Sequence, residues 1–157
     1  MNPARLFLRR TPRERQLAFE ALRRLAWAKA VVHLLSFPRL SRRLGAPQTE
    51  TPHAISAQDR ALAIEVSWAV QAIARHVPLG FVCLPQAMAA QAMLRRRGVS
   101  TTLYFGVAFD HNKNDPLQTH AWLRAGDKIV TGVDQIRGHH PVEWFGDVPP
   151  TARSSPP

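Results

Sequence analysis

Cys83 is the only cysteine of the chain, and it stands where a cysteine can act as a nucleophile. It lies in Gly80-Phe81-Val82-Cys83-Leu84-Pro85-Gln86, ahead of a run of strong helix formers that stops at Gly98. Proline's fixed φ suits a first helical turn, so the sequence predicts a helix over 85–97 with the thiol at or just before its start. A helix N-terminus offers unpaired N–H groups and the positive end of a dipole, the surroundings of many reactive thiolates. Downstream come His120, in Thr119-His120-Ala121-Trp122-Leu123, and then Asp134. A cysteine, a histidine and an acid are the parts of a Cys-His-Asp nucleophilic site. A free cysteine can equally be a small buried hydrophobe, and a histidine in a buried strand can be structural.

The elements that must position these residues can be read in order. Residues 1–10 read as a basic, disordered arm. Thr11-Pro12-Arg13-Glu14 has the form of a capping box with proline at the first helical position. Leu17, Leu22, Leu25, Ala28, Val32 and Leu35 follow near helical spacing, and the helix is expected to end near Phe37-Pro38. A short helical turn over 40–44 closes at Gly45, and 46–53 reads as a linker. Ser56-Ala57-Gln58-Asp59 opens another helix, which breaks at Val77-Pro78. After Gly98 the period changes, and Thr101-Thr102-Leu103-Tyr104-Phe105-Gly106-Val107 reads as a strand. The run from Asp110 to Asp115 reads as a polar loop whose acids are solvated. Strands are expected over 120–123 and 128–133, joined as a hairpin through Ala125-Gly126-Asp127. In that register His120 faces Gly132, and Asp134 shares the histidine's face, displaced diagonally. A two-residue loop would shift this register.

Helices followed by a small antiparallel sheet make an α+β domain. The organisation expected is an arm over 1–10, a helical region over 11–55, a core over 56–146 and a disordered tail over 147–157. A chain of 157 residues with 45% hydrophobic residues can bury one core. A lone cysteine excludes an internal disulfide framework and argues against a thiolate-rich zinc site, and it fits a reducing cytoplasm. No metal and no cofactor is expected. No secretory signal and no apolar run of about 18–20 residues is present, so stable membrane insertion is not expected.

The net charge of +10 suits acidic partners. Nucleic acid is the default partner for such a charge, but no recognised binding motif accompanies the arginines. A basic protein that binds nucleic acid or a membrane surface through 13–43 is therefore the weaker alternative, and no nucleic acid is expected.

Taken together, Cys83-Leu84-Pro85-Gln86-Ala87, Leu94-Arg95-Arg96-Arg97-Gly98-Val99, Phe105-Gly106-Val107 and His120-Ala121-Trp122-Leu123 resemble the leader peptidases of lasso peptide biosynthesis. These are transglutaminase-like proteins of the papain-like cysteine protease superfamily. The Phe37-Pro38-Arg39-Leu40-Ser41-Arg42-Arg43-Leu44-Gly45 segment adds to the likeness, which spans roughly residues 12–146. The resemblance implies a core in which a helix carrying the cysteine packs on a small antiparallel sheet carrying His and Asp. It implies a peptidase that cuts the leader from a ribosomally made precursor. Cys83 is then the nucleophile, His120 the general base and Asp134 the residue orienting the imidazole. Gln86 and Trp122 are candidates for the oxyanion hole or substrate contact, although helix packing for Gln86 and packing behind the histidine for Trp122 are the simpler roles. The implied partners are the lasso precursor, a separate leader-recognition protein acting in trans and an ATP-dependent cyclase. The alternative within this fold is a non-catalytic scaffold or acyl-transfer protein of a peptide-maturation complex.

Overall fold

The computed structural model describes residues 11–109 and 116–149. The expected arm over 1–10, the loop acids Asp110 and Asp115, and most of the expected tail lie outside the described residues.

The first helix, α1, spans Pro12–Leu34. Its start is fixed by the expected capping box: Thr11 accepts from the Glu14 backbone N–H, and the Glu14 carboxylate accepts from Thr11. Each residue thereby satisfies a donor that the helix start leaves unpaired. The short α2 follows at Phe37–Ser41, three residues earlier than the expected turn at 40–44 because Ser36 and Pro38 already supply a helix start. The third helix, α3, spans Ala57–His76 behind the Ser56 cap, whose hydroxyl accepts from the Asp59 N–H at 3.0 Å. The fourth, α4, runs Cys83–Arg95. Cys83 is thus its first residue and Pro85 its third, a place where a missing N–H costs nothing.

Helix α4 is buried on almost every side: Ala87, Met88, Ala89, Ala90, Met93 and Leu94 are all core residues. It packs on α1, on α3 and on the sheet. Alanines at 21, 28, 87 and 90 allow the helix axes to approach, and Leu25 and Met93 fill the space between them.

Among the described residues five strands form one sheet in the order β1-β5-β2-β3-β4. They are β1 Ala46–Pro47, β2 Thr101–Phe109, β3 Leu117–Ala125, β4 Lys128–Thr131 and β5 His140–Asp147. Leu103 pairs with Leu123, and both join the core beneath α4. The alternate pair, Tyr104 and Trp122, stacks with ring centroids 5.3 Å apart.

Two expectations change here. Residues 46–53 do not form a free linker, because Ala46 and Pro47 pair with Gly146 and Phe145 of β5. Nor is the chain from His140 to Asp147, where no strand was expected, irregular: it forms β5, which sits between β1 and β2. Pro141 and the register shift opposite Phe105/Gly106 break the alternation by which a strand is read. Asp147, assigned to the tail, is the last residue of β5, and it binds Arg95 Nε at 2.6 Å.

Arg124 ties the 46–53 segment to the sheet. It is buried, and donates to the carbonyls of Thr51 at 2.9 Å and Gly126 at 2.5 Å and to the Tyr104 hydroxyl at 3.0 Å. A buried guanidinium is tolerable only with its donors so engaged.

Candidate functional site

Three segments converge on one cleft of about 520 Å³: the start of α4, β3 with the chain that follows β4, and the last turns of α3. Its lining includes Cys83, Gln86, His120, Gly132 and Asp134, together with Gln71 and Arg75 of α3. The expected Cys83, His120, Asp134 and Gln86 are therefore brought together. Trp122 stands behind the histidine, its ring 6.0 Å from the imidazole and nearly parallel to it.

Cys83 is half-buried at the first position of α4. Its N–H is among the first of the helix and has no intrahelical acceptor, which leaves it free to serve as an oxyanion donor. Gln86 donates to the Phe81 carbonyl at 2.7 Å. That bond braces the loop leading into Cys83, so the amide has a structural task in addition to lining the cleft.

His120 is buried, with 3% of its surface exposed. Its Nε2 lies 2.8 Å from the Gly132 carbonyl oxygen. A carbonyl can only accept, so Nε2 carries the proton in the neutral ring and Nδ1 holds the lone pair. Nδ1 is buried without a hydrogen-bond partner. Burial holds the imidazole pKa below the ordinary histidine range, the Gly132 carbonyl opposes this, and nearby His139 adds to the lowering. His139 lies 5.4 Å away between ring centroids, and both of its ring nitrogens are buried and unpartnered. The lowered pKa favours a neutral imidazole with an unpartnered basic nitrogen, in a residue that lines the same cleft as Cys83. No hydrogen bond joins Cys83 to His120, which is common in a site without substrate.

Asp134 is at the cleft but does not orient His120. It is exposed, in a single 3-10 turn over Val133–Gln135. The expected register fails for a definite reason. The β3–β4 loop has two residues, with Ala125 opposite Lys128, and a bulge then places Leu123 opposite Thr131. Had β4 continued, Asp134 would have come opposite His120. The strand instead stops at Thr131, and Gly132 turns the chain away with φ of 85°. The carbonyl of that glycine, and not the acid, accepts from Nε2. A Cβ on Gly132 would lie 2.8 Å from His120 Nε2 and 2.8 Å from Trp122 Cβ. Sequence reasoning missed this role, although a glycine directly after a strand is its signal. It missed His139, Gln71 and Arg75 as well, since nothing local marks them.

Among the described residues no helix is long and apolar enough to cross a membrane. Comparison with curated proteins and with solved structures yields no match. A family model described as the transglutaminase-like superfamily matches residues 21–143, a span that contains Cys83, His120 and Asp134. By this match, together with a helix-borne cysteine and a strand-borne histidine in one cleft, the chain belongs to the transglutaminase-like superfamily.

Proposed function

We propose that the protein is a cysteine peptidase that removes the leader from a ribosomally made lasso precursor. The observation that carries the chemistry is His120, oriented by Gly132 and with an unpartnered Nδ1, lining the same cleft as Cys83. The substrate class rests on the likeness of the Cys83, Arg95–Gly98 and His120 segments to lasso leader peptidases.

In this reading His120 Nδ1 accepts the thiol proton, and the Cys83 sulfur attacks the scissile carbonyl. The Cys83 N–H supports the developing oxyanion. The C–N bond breaks as the imidazolium returns its proton to the leaving amine, and water then hydrolyses the thioester. The Gly132 carbonyl supports the imidazolium throughout. A separate leader-recognition protein presents the precursor, raising the effective concentration of the scissile bond. An ATP-dependent cyclase takes the freed peptide.

The test is leader removal by the wild-type chain and by Cys83→Ala, with precursor and recognition protein present. The variant should fold and lose cleavage; undiminished cleavage refutes the reading. A thiol-reactive probe separates it from a non-catalytic scaffold: fast labelling of Cys83 near neutral pH fits a peptidase, slow labelling a scaffold.

A further inference from the structure

The cleft at Cys83 does not end at Arg75. A second hollow, of about 400 Å³, begins where the first stops. Gln71 and Arg75 line both. The second is lined along α3 by Ile64, Ser67, Trp68, Ala72 and His76, and from β4 by Lys128.

Its chemistry is one-sided. Arg75, Lys128 and His76 line it, and no carboxylate does. The nearby acids are committed elsewhere: Asp127 to Arg60, Glu65 to Arg13, while Asp134 lies in the first cleft. Neither Arg75 nor Lys128 forms an ion pair with a described residue.

Arg75 is also held in place. Its Nη2 donates to Gln71 Oε1 at 3.0 Å, and the Gln71 amide donates to Ser67 Oγ at 3.0 Å. Ser67 in turn donates to the Val130 carbonyl at 2.6 Å. A chain of bonds from β4 thus sets a guanidinium at the junction of the two hollows, and preorganised cations lose less on binding a carboxylate. Farther along α3 Ile64 is half exposed and Trp68 is partly exposed.

We propose that the second hollow is a subsite for an acidic side chain of the peptide substrate, with an apolar residue farther along the same peptide against Trp68 and Ile64. The proposal rests on the peptidase reading for its place in catalysis. Helical rise puts Ile64 roughly 16 Å from Arg75 along α3. An extended peptide covers about 3.3 Å per residue, so a residue that reaches Trp68 or Ile64 belongs about three to five residues from an Asp or Glu held at Arg75.

The probe is a pool of random decapeptides. Immobilised full-length Cys83→Ala is incubated with the pool, and the retained peptides are sequenced. Asp and Glu should be enriched several-fold. Lys128→Glu with Arg75→Glu, on the same background, should replace that enrichment with one for Lys and Arg. No acidic enrichment, or enrichment indifferent to the reversal, overturns the proposal. In parallel, the wild-type chain cleaves the same pool and the products are sequenced. An acid at a fixed distance from the cut is expected, with its replacement by the amide slowing cleavage about fivefold to tenfold. Cleavage with no acidic preference also overturns the proposal. Acid-selective retention with no cleavage even of the lasso precursor presented by its recognition protein overturns the peptidase reading and leaves an acidic-peptide binding groove.

Discussion

The imidazole of His120 is oriented by the backbone of Gly132, with 2.8 Å between Nε2 and the carbonyl oxygen. A peptide carbonyl bears no full charge, so it selects the tautomer and fixes the ring without adding the electrostatic pull of a carboxylate. The consequences can be tested separately.

Gly132→Ala should damage the site more than the fold. The backbone there has φ of 85°, and the added methyl meets His120 Nε2 and Trp122 Cβ at 2.8 Å. Gly138 shares the φ of 85° but has nothing within 4 Å of the position its methyl would take, so Gly138→Ala reports backbone strain alone. Both should lose about 1–2 kcal/mol from the left-handed conformation. Only Gly132→Ala should also slow cleavage, or Cys83 labelling, by at least about tenfold. Equal rates in the two variants would count against the role given to Gly132.

Asp134→Asn should be mild. The side chain is exposed and makes no hydrogen bond to His120. Cleavage should stay within about threefold of wild type, against the loss of about 10⁴ seen when an acid that orients a catalytic histidine is neutralised. His120→Ala, assayed alongside, should abolish activity. A loss in Asp134→Asn approaching that of His120→Ala would restore the acid to the orienting role.

The protonation of His120 should weaken the fold. Burial lowers its pKa below the unfolded value of 6.5, with His139 adding to the effect. Between the folded and unfolded values the unfolded chain binds more protons, so stability rises with pH there. The contribution is complete above 6.5 and is lost as pH falls through the folded value. Imidazole resonances followed by NMR should give His120 a midpoint below 6.5, and His139→Phe should move it upward. A wild-type midpoint at or above 6.5 contradicts this account.

Arg124→Met should cost about 3 kcal/mol in urea unfolding, the scale for removing one side of a buried charged hydrogen-bond network. The Thr51 carbonyl and Tyr104 hydroxyl lose their donor, and the 46–53 segment loses an anchor. Hydrogen exchange should quicken at the Thr51 amide, which donates to Thr102 Oγ1 at 2.9 Å. Unchanged exchange at Thr51 would mean that β1 and the Thr102 hydroxyl hold the segment without Arg124.

The sequence by itself determined the helices, the strands β2 to β4 in outline, and the meeting of Cys83 with His120. The elements follow from local rules, and the meeting of Cys83 with His120 from the family resemblance. Thr11 and Ser56 cap α1 and α3 with their own side chains, Pro85 sits in the first turn of α4 and Gly98 just past its end, and the change of period after Gly98 marks β2. Tertiary structure alone decided what surrounds the histidine. The bulge opposite Leu123/Arg124 and the left-handed Gly132 replaced Asp134 by a backbone oxygen, and a slip of one or two residues in a sheet reassigns every side chain beyond it. It also brought β5 between β1 and β2, buried Arg124 under a segment more than 70 residues earlier in the chain, and set Arg75 in the cleft through Gln71, Ser67 and Val130. Those contacts join residues distant in sequence, whose pairing depends on the geometry of the whole sheet and leaves no mark in the local spacing of residue types.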